Sequence, residues 1–85
     1  MIWLTGHEYL EDYKIKIRFN DGTEKIVDLK NKVFNDHRMV FRALQDVNLF
    51  RKVRFNPEAD TIEWPNGADL APEFLYDYPH FSHLN

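Results

Sequence analysis

The stretch Tyr13-Lys-Ile-Lys-Ile-Arg-Phe-Asn-Asp-Gly-Thr-Glu-Lys-Ile-Val-Asp-Leu29 decides how this chain folds. Tyr13, Ile15, Ile17 and Phe19 alternate with Lys14, Lys16, Arg18 and Asn20. A period of two puts the apolar set on one face of a strand and the charged set on the other. Asn20-Asp21-Gly22 then supplies residues that tolerate positive φ, so the chain reverses and Glu24 to Leu29 returns as the pairing strand. One face of this hairpin needs a cover, and the rest of the sequence is read for what provides it.

Upstream, residues 2–10 are expected to form a first strand that Gly6 interrupts, with a turn at Glu11-Asp12. Downstream, Lys30 to Asp36 is polar and loop-like. From Asp36 to Leu44 the pattern turns helical: Met39, Val40, Ala43 and Leu44 form one apolar stripe, with Asp36 as N-cap. Asp46 to Phe50 continues as another helical turn. Arg51 to Phe55 alternates again as a strand, Asn56 to Asp60 turns, and Thr61 to Trp64 returns with Ile62 and Trp64 on one face. Pro65-Asn66-Gly67 reads as a turn. Pro72 opens a short helix over 72–77, since the first helical position has no intrahelical use for an N–H.

The two halves resemble each other. Ile17-Arg18-Phe19-Asn20 recurs as Val53-Arg54-Phe55-Asn56, and each copy leads through a second strand to an Asp-Leu pair (Asp28-Leu29, Asp69-Leu70) and a helical stretch. The expectation is an α+β domain: a mainly antiparallel sheet of four or five strands, two or three short helices on one face, and two ββα units sharing one core. Chance likeness between two hairpins is the alternative.

Composition sets the outer limits. Eighty-five residues with 44% apolar and 29% charged side chains make one small folded domain, residues 1–85, with 78–85 as a tail. Without cysteine there is neither a disulfide nor a thiolate zinc site, which fits a reducing cytoplasm. The N-terminus has no basic leader and no apolar run spans a bilayer, so a cytoplasmic protein without membrane contact is expected. Charge is uneven. Residues 1–56 carry all eleven Lys and Arg against eight acids, giving +3, while residues 57–85 carry six acids and give −6. Such asymmetry steers either association or internal neutralisation.

Tyr13 to Phe19, Asp21-Gly22, Val27-Asp28-Leu29, Leu44 to Phe50, Leu75-Tyr76 and above all Ile62-Glu-Trp-Pro-Asn-Gly-Ala-Asp-Leu-Ala-Pro-Glu73 together resemble a bacterial family, domain-of-unknown-function family 2442. The likeness covers about residues 9–77. It implies a small α+β domain, sometimes fused to a DNA-binding helix-turn-helix and often encoded beside another small protein, in an arrangement likened to toxin–antitoxin pairs. No catalytic residues come with the family. This chain departs from the fused members in having no room for a helix-turn-helix.

Candidate chemistry is sparse. Lys14, Lys16 and Arg18, with Lys52 and Arg54 from the second hairpin, form a basic face if both hairpins join one sheet, and such a face can meet phosphates. Glu24 and Glu63 on neighbouring strands favour a solvated face of cross-strand pairs instead. Trp64 either closes the core or stands out as an interaction hot spot, and Ile62 on the same face favours closure. His80 and His83 have a spacing that a metal can use on a helix, which Pro79 opposes. Asp28 and Asp69 fit capping better than acid–base catalysis. The expected function is a non-enzymatic interaction domain whose partner is another small protein or a second copy. The alternative is a nucleic-acid accessory protein using the basic face. No cofactor is expected.

Overall fold

In the computed structural model, which describes residues 1–82, the chain is α+β with two antiparallel sheets. The first sheet holds β1 (Leu4–Glu11), β2 (Lys14–Phe19) and β3 (Glu24–Asp28), in that order. The second pairs β4 (Arg54–Asn56) with β5 (Thr61–Glu63). Between the sheets lie α1 (Lys30–Asn35), α2 (Met39–Arg42), a 3₁₀ turn at Ala43–Gln45 and α3 (Val47–Phe50). After β5 comes α4 (Pro72–Asp77).

The β2–β3 hairpin forms as its alternation requires. Ile15 faces Val27 and Ile17 faces Lys25, while Lys16 pairs with Ile26 and Arg18 with Glu24 on the opposite face. Gly22 sits at φ +88°, a conformation costly for a residue with a Cβ, and its N–H closes the turn on the Phe19 carbonyl at 3.0 Å. β1 continues through Gly6 by means of a register shift between Leu4 and Gly6, so the glycine bends the strand rather than ending it.

Several expectations need correcting. The five strands do not share one sheet: they are divided three and two. The sheets meet where the Leu4 N–H donates to the Asp60 carbonyl at 3.0 Å, at one end of β1 only. Four short α-helices form, one more than the upper expectation, because Lys30 to Asn35 is helical rather than loop. It starts without a side-chain cap at Leu29, and Asp28 Oδ1 accepts the Lys30 N–H at 3.1 Å from just outside. The helix expected over 36–44 begins at Met39. Arg38 takes its N-cap position, while Asp36 Oδ1 accepts the Arg38 N–H at 2.9 Å. Arg51 and Lys52 are not strand residues. Their N–H groups donate to the carbonyls of Val47 and Leu49, which closes α3 and leaves β4 three residues long. The two hairpins are therefore unequal. α1 follows β3 almost at once, whereas eight residues separate β5 from α4, so the repeat remains a likeness of sequence.

One cluster of buried side chains draws on both sheets and all four α-helices. It includes Leu4, Ile15, Ile17, Phe19, Val27, Val33, Phe41, Phe50, Ile62, Trp64 and Leu75, with Val53 and Phe55 half-buried against it. Trp64 is 1% exposed. Its indole N–H donates to the Phe50 carbonyl at 2.8 Å and its ring lies 5.4 Å from the Phe50 ring. The following turn holds it there. The Trp64 N–H donates to the Ala68 carbonyl at 2.8 Å, the Gly67 N–H returns to the Trp64 carbonyl at 3.0 Å, and the Asn66 amide donates to the Val40 carbonyl at 2.8 Å. The Trp-Pro-Asn-Gly run is thus a device for seating one indole between the second sheet and the helices.

Candidate functional site

The charged face of the first sheet is neutralised internally. Glu24 accepts from Arg18 Nη2 at 2.7 Å and lies 3.5 Å from Lys16 Nζ, while Lys14 lies 3.9 Å from Glu11. On the second sheet Arg54 Nε and the Asn56 amide donate to Glu63 at 2.7 and 2.8 Å. Arg18 first, and then Lys16, hold the Glu24 carboxyl below its ordinary value; Arg54 and Asn56 do the same for Glu63. The shallow hollow over this face, about 250 Å³, is lined by Gly6, His7, Glu8, Lys16, Arg18 and Glu24, of mixed sign. Lys52 stands apart, exposed in the turn after α3. The five cations foreseen as one surface are therefore split between two sheets and a turn, and four of them face carboxylates. Trp64, the sixth candidate, is core.

A second charged cluster ties the helices together. Asp36 accepts from Lys32 Nζ at 2.7 Å and from Arg38 Nε and Nη2 at 3.0 and 2.7 Å. Lys32 and Arg38 flank the buried Phe41 ring at 4.8 and 4.7 Å, and Lys32 also reaches the Phe74 ring of α4 at 5.2 Å. The Arg38 guanidinium, with Lys32 behind it, drives the Asp36 carboxyl far below the usual carboxylate range. With its cations stacked on aromatic faces, this cluster anchors α1, α2 and α4 to one another.

Beside it opens a groove of about 460 Å³, lined by Phe34, Asn35, Asp36, His37, Arg42 and Gln45. Phe34 is 46% exposed. It is held in place by an edge-on contact with Tyr13 at 5.5 Å, and the Tyr13 hydroxyl donates to the Gln45 carbonyl at 2.6 Å. Burial, with Asp12 and Asp46 nearby, pushes the Tyr13 hydroxyl upward, so it stays a donor. Arg42 and His37 are exposed, and Arg42 is absent from the ion pairs of the described residues. A fixed ring next to an unengaged guanidinium is the arrangement that protein contacts use most. Sequence reasoning missed it, because Phe34 reads as an isolated aromatic in a polar stretch until α1 turns it toward Arg42.

The remaining candidates fall out singly. Asp28 lies at the end of β3, where its carbonyl accepts the Tyr78 hydroxyl at 3.2 Å, whereas Asp69 bridges to Glu63 and caps no helix. His80 Nδ1 accepts the Ile26 N–H at 3.1 Å, and His83 lies outside the described residues. Among the described residues no three His, Asp or Glu side chains are grouped as metal ligands, and no helix is long and apolar enough to cross a membrane.

The model of a family described as "Protein of unknown function (DUF2442)" matches residues 8–80. No curated protein and no solved structure matches the chain. The match takes in both sheets and every helix, and the chain belongs to this family.

Proposed function

We propose that this DUF2442 member is a non-enzymatic, cytoplasmic protein-interaction domain, and that the groove at Phe34, His37 and Arg42 is its contact surface. One observation carries the reading: the cations of the sheet face are already engaged by carboxylates, whereas Arg42 stands unpaired beside an exposed, rigidly held aromatic ring. Paired charges on an exposed sheet contribute little to capturing a ligand, because binding must first separate them. An aromatic–arginine pair in a groove offers contact area and directional donors without that cost. Met39, on the neighbouring α2, is 77% exposed and adds apolar surface.

In this reading the partner is another small protein, the product of the adjacent gene in a toxin–antitoxin-like pair, and it presents an acidic side chain to Arg42. The nucleic-acid alternative is the weaker one, since Glu24 and Glu63 stand where phosphates would have to sit. Light scattering of the purified chain alone and mixed with the neighbouring gene's product is the test. The reading expects a defined complex whose affinity falls at least about tenfold in Phe34→Ala and in Arg42→Glu, the loss of one hot spot. Unchanged monomer in the mixture, or a complex indifferent to both substitutions, defeats it.

A further inference from the structure

We propose that the free edge of β3 is a strand-addition site for an extended segment of a partner protein, held in cis by the chain's own tail. β3 is the last strand in the order β1-β2-β3, and an edge strand turns the backbone groups of alternate residues away from its sheet. Ile26 is such a residue. Its N–H donates to His80 Nδ1 at 3.1 Å, and its carbonyl accepts the Phe81 N–H at 2.7 Å. The Phe81 ring then lies 5.0 Å from Lys14 Nζ, over a small hollow of about 100 Å³ lined by Leu10, Glu11, Lys14 and Ile26. A wider groove of about 500 Å³, bounded by Asp28, Lys30, Asn31 and residues 78–82, continues along the same edge.

The tail is an incomplete strand. A regular antiparallel partner gives such a residue both a carbonyl and an N–H from its backbone. Here the carbonyl is replaced by an imidazole nitrogen, and the only backbone-to-backbone bond at Ile26 is the one from Phe81. At Asp28 the contact is again a side chain, the Tyr78 hydroxyl. An incoming segment with its carbonyl where His80 Nδ1 now sits can pair along β3 from Asp28 toward Glu24, so it gains bonds relative to the tail it displaces. The seat over Lys14, next to Leu10 and Ile26, selects an aromatic side chain at the position facing it. The inference does not rest on the Phe34 groove, which lies on the helices.

The probe is a fluorescein-labelled peptide of this chain's residues 78–85, titrated by anisotropy against the full-length protein and against full-length protein carrying His80→Ala and Phe81→Ala together. The peptide is expected to bind the substituted protein at least about tenfold more tightly than the parent, because the tail no longer competes. A peptide with Phe81→Ala should lose that gain. Amide shifts on binding should centre on Ile26 and Glu24. No binding to either protein, equal binding to both, or shifts confined to Phe34 and Arg42 overturns the proposal, and the last outcome leaves the groove reading standing. Mixed dimers of labelled and unlabelled parent chains assign the edge to tail exchange between copies, which also overturns it. If the double variant does not fold, Phe81→Ala alone in the full chain serves the same comparison.

Discussion

Replacing Trp64 tests how far a single side chain supports the domain. The indole is 1% exposed, touches the Phe50 ring and donates to its carbonyl. Truncating a buried tryptophan to alanine costs about 3–5 kcal/mol, from lost transfer free energy and from the cavity left behind. A domain of this length has roughly 4–13 kcal/mol in total. Trp64→Ala should therefore remove a third or more of the stability and can unfold the chain outright. Trp64→Phe should cost less, about 1–3 kcal/mol, because a ring still fills most of the space and the Phe50 carbonyl keeps the Val53 N–H at 3.2 Å as a donor. With a urea slope of about 1.5 kcal/mol/M, Trp64→Ala lowers the midpoint by about 2–3 M and Trp64→Phe by about 1–2 M. Far-UV circular dichroism in urea measures both. A midpoint for Trp64→Ala within about 0.5 M of the parent would refute the assignment of Trp64 to the core, since that corresponds to less than about 1 kcal/mol.

Three further predictions concern separate parts of the structure. Lys25 Nζ bonds the carbonyls of Leu75, Tyr76 and Tyr78 at the C-terminal end of α4, the nearest of them at 2.5 and 2.6 Å. Lys25→Met should cost about 1–3 kcal/mol and raise hydrogen exchange in residues 72–82 selectively; uniform exchange would show that the cap is not made. The Asp36 carboxyl is depressed in the folded state by Arg38 and Lys32, so its stabilising contribution is complete above about pH 5 and fades as pH falls below the ordinary carboxylate value of about 4. The difference in melting temperature between parent and Asp36→Asn should accordingly be largest near neutrality and shrink toward pH 3, and a difference that grows on acidification would contradict the pairing. Gly67 sits at φ +94°, so Gly67→Ala should destabilise by about 1–2 kcal/mol even though open space surrounds the position; no change in melting temperature would place that turn in another conformation.

How much was legible in the sequence depends on where the information lies. The β2–β3 hairpin was legible because alternation and a Gly turn are local properties, and Glu24 was legible as the partner of Arg18 because cross-strand neighbours follow from register. The helix over 72–77 matched its bounds because Pro72 marks the start. α1 was not legible. Lys30 to Asn35 has neither a capping side chain at its N-cap nor an apolar stripe, and Val33 is its one buried residue; packing of Val33 into the core makes the helix. Lys52 was misplaced because Arg51 to Phe55 alternates like a strand, while α3 claims its first residues by helical bonds. Of the site, the sheet-face cations and their carboxylate partners could be read in advance. The Phe34–Arg42 groove and the tail on β3 could not, since each joins residues through tertiary placement that no local pattern records.

The account's central claim is that both sheets and the helices close on one interior beneath Trp64. A Trp3→Phe variant leaves Trp64 as the only indole, and its fluorescence can be followed together with far-UV circular dichroism through one urea titration. Coincident midpoints are predicted, because loss of the indole environment and loss of the strands and helices are then one event. A fluorescence transition that precedes the dichroism change by about 1 M or more would show the second sheet and its tryptophan coming away from a first sheet that stands without them, which contradicts a shared core.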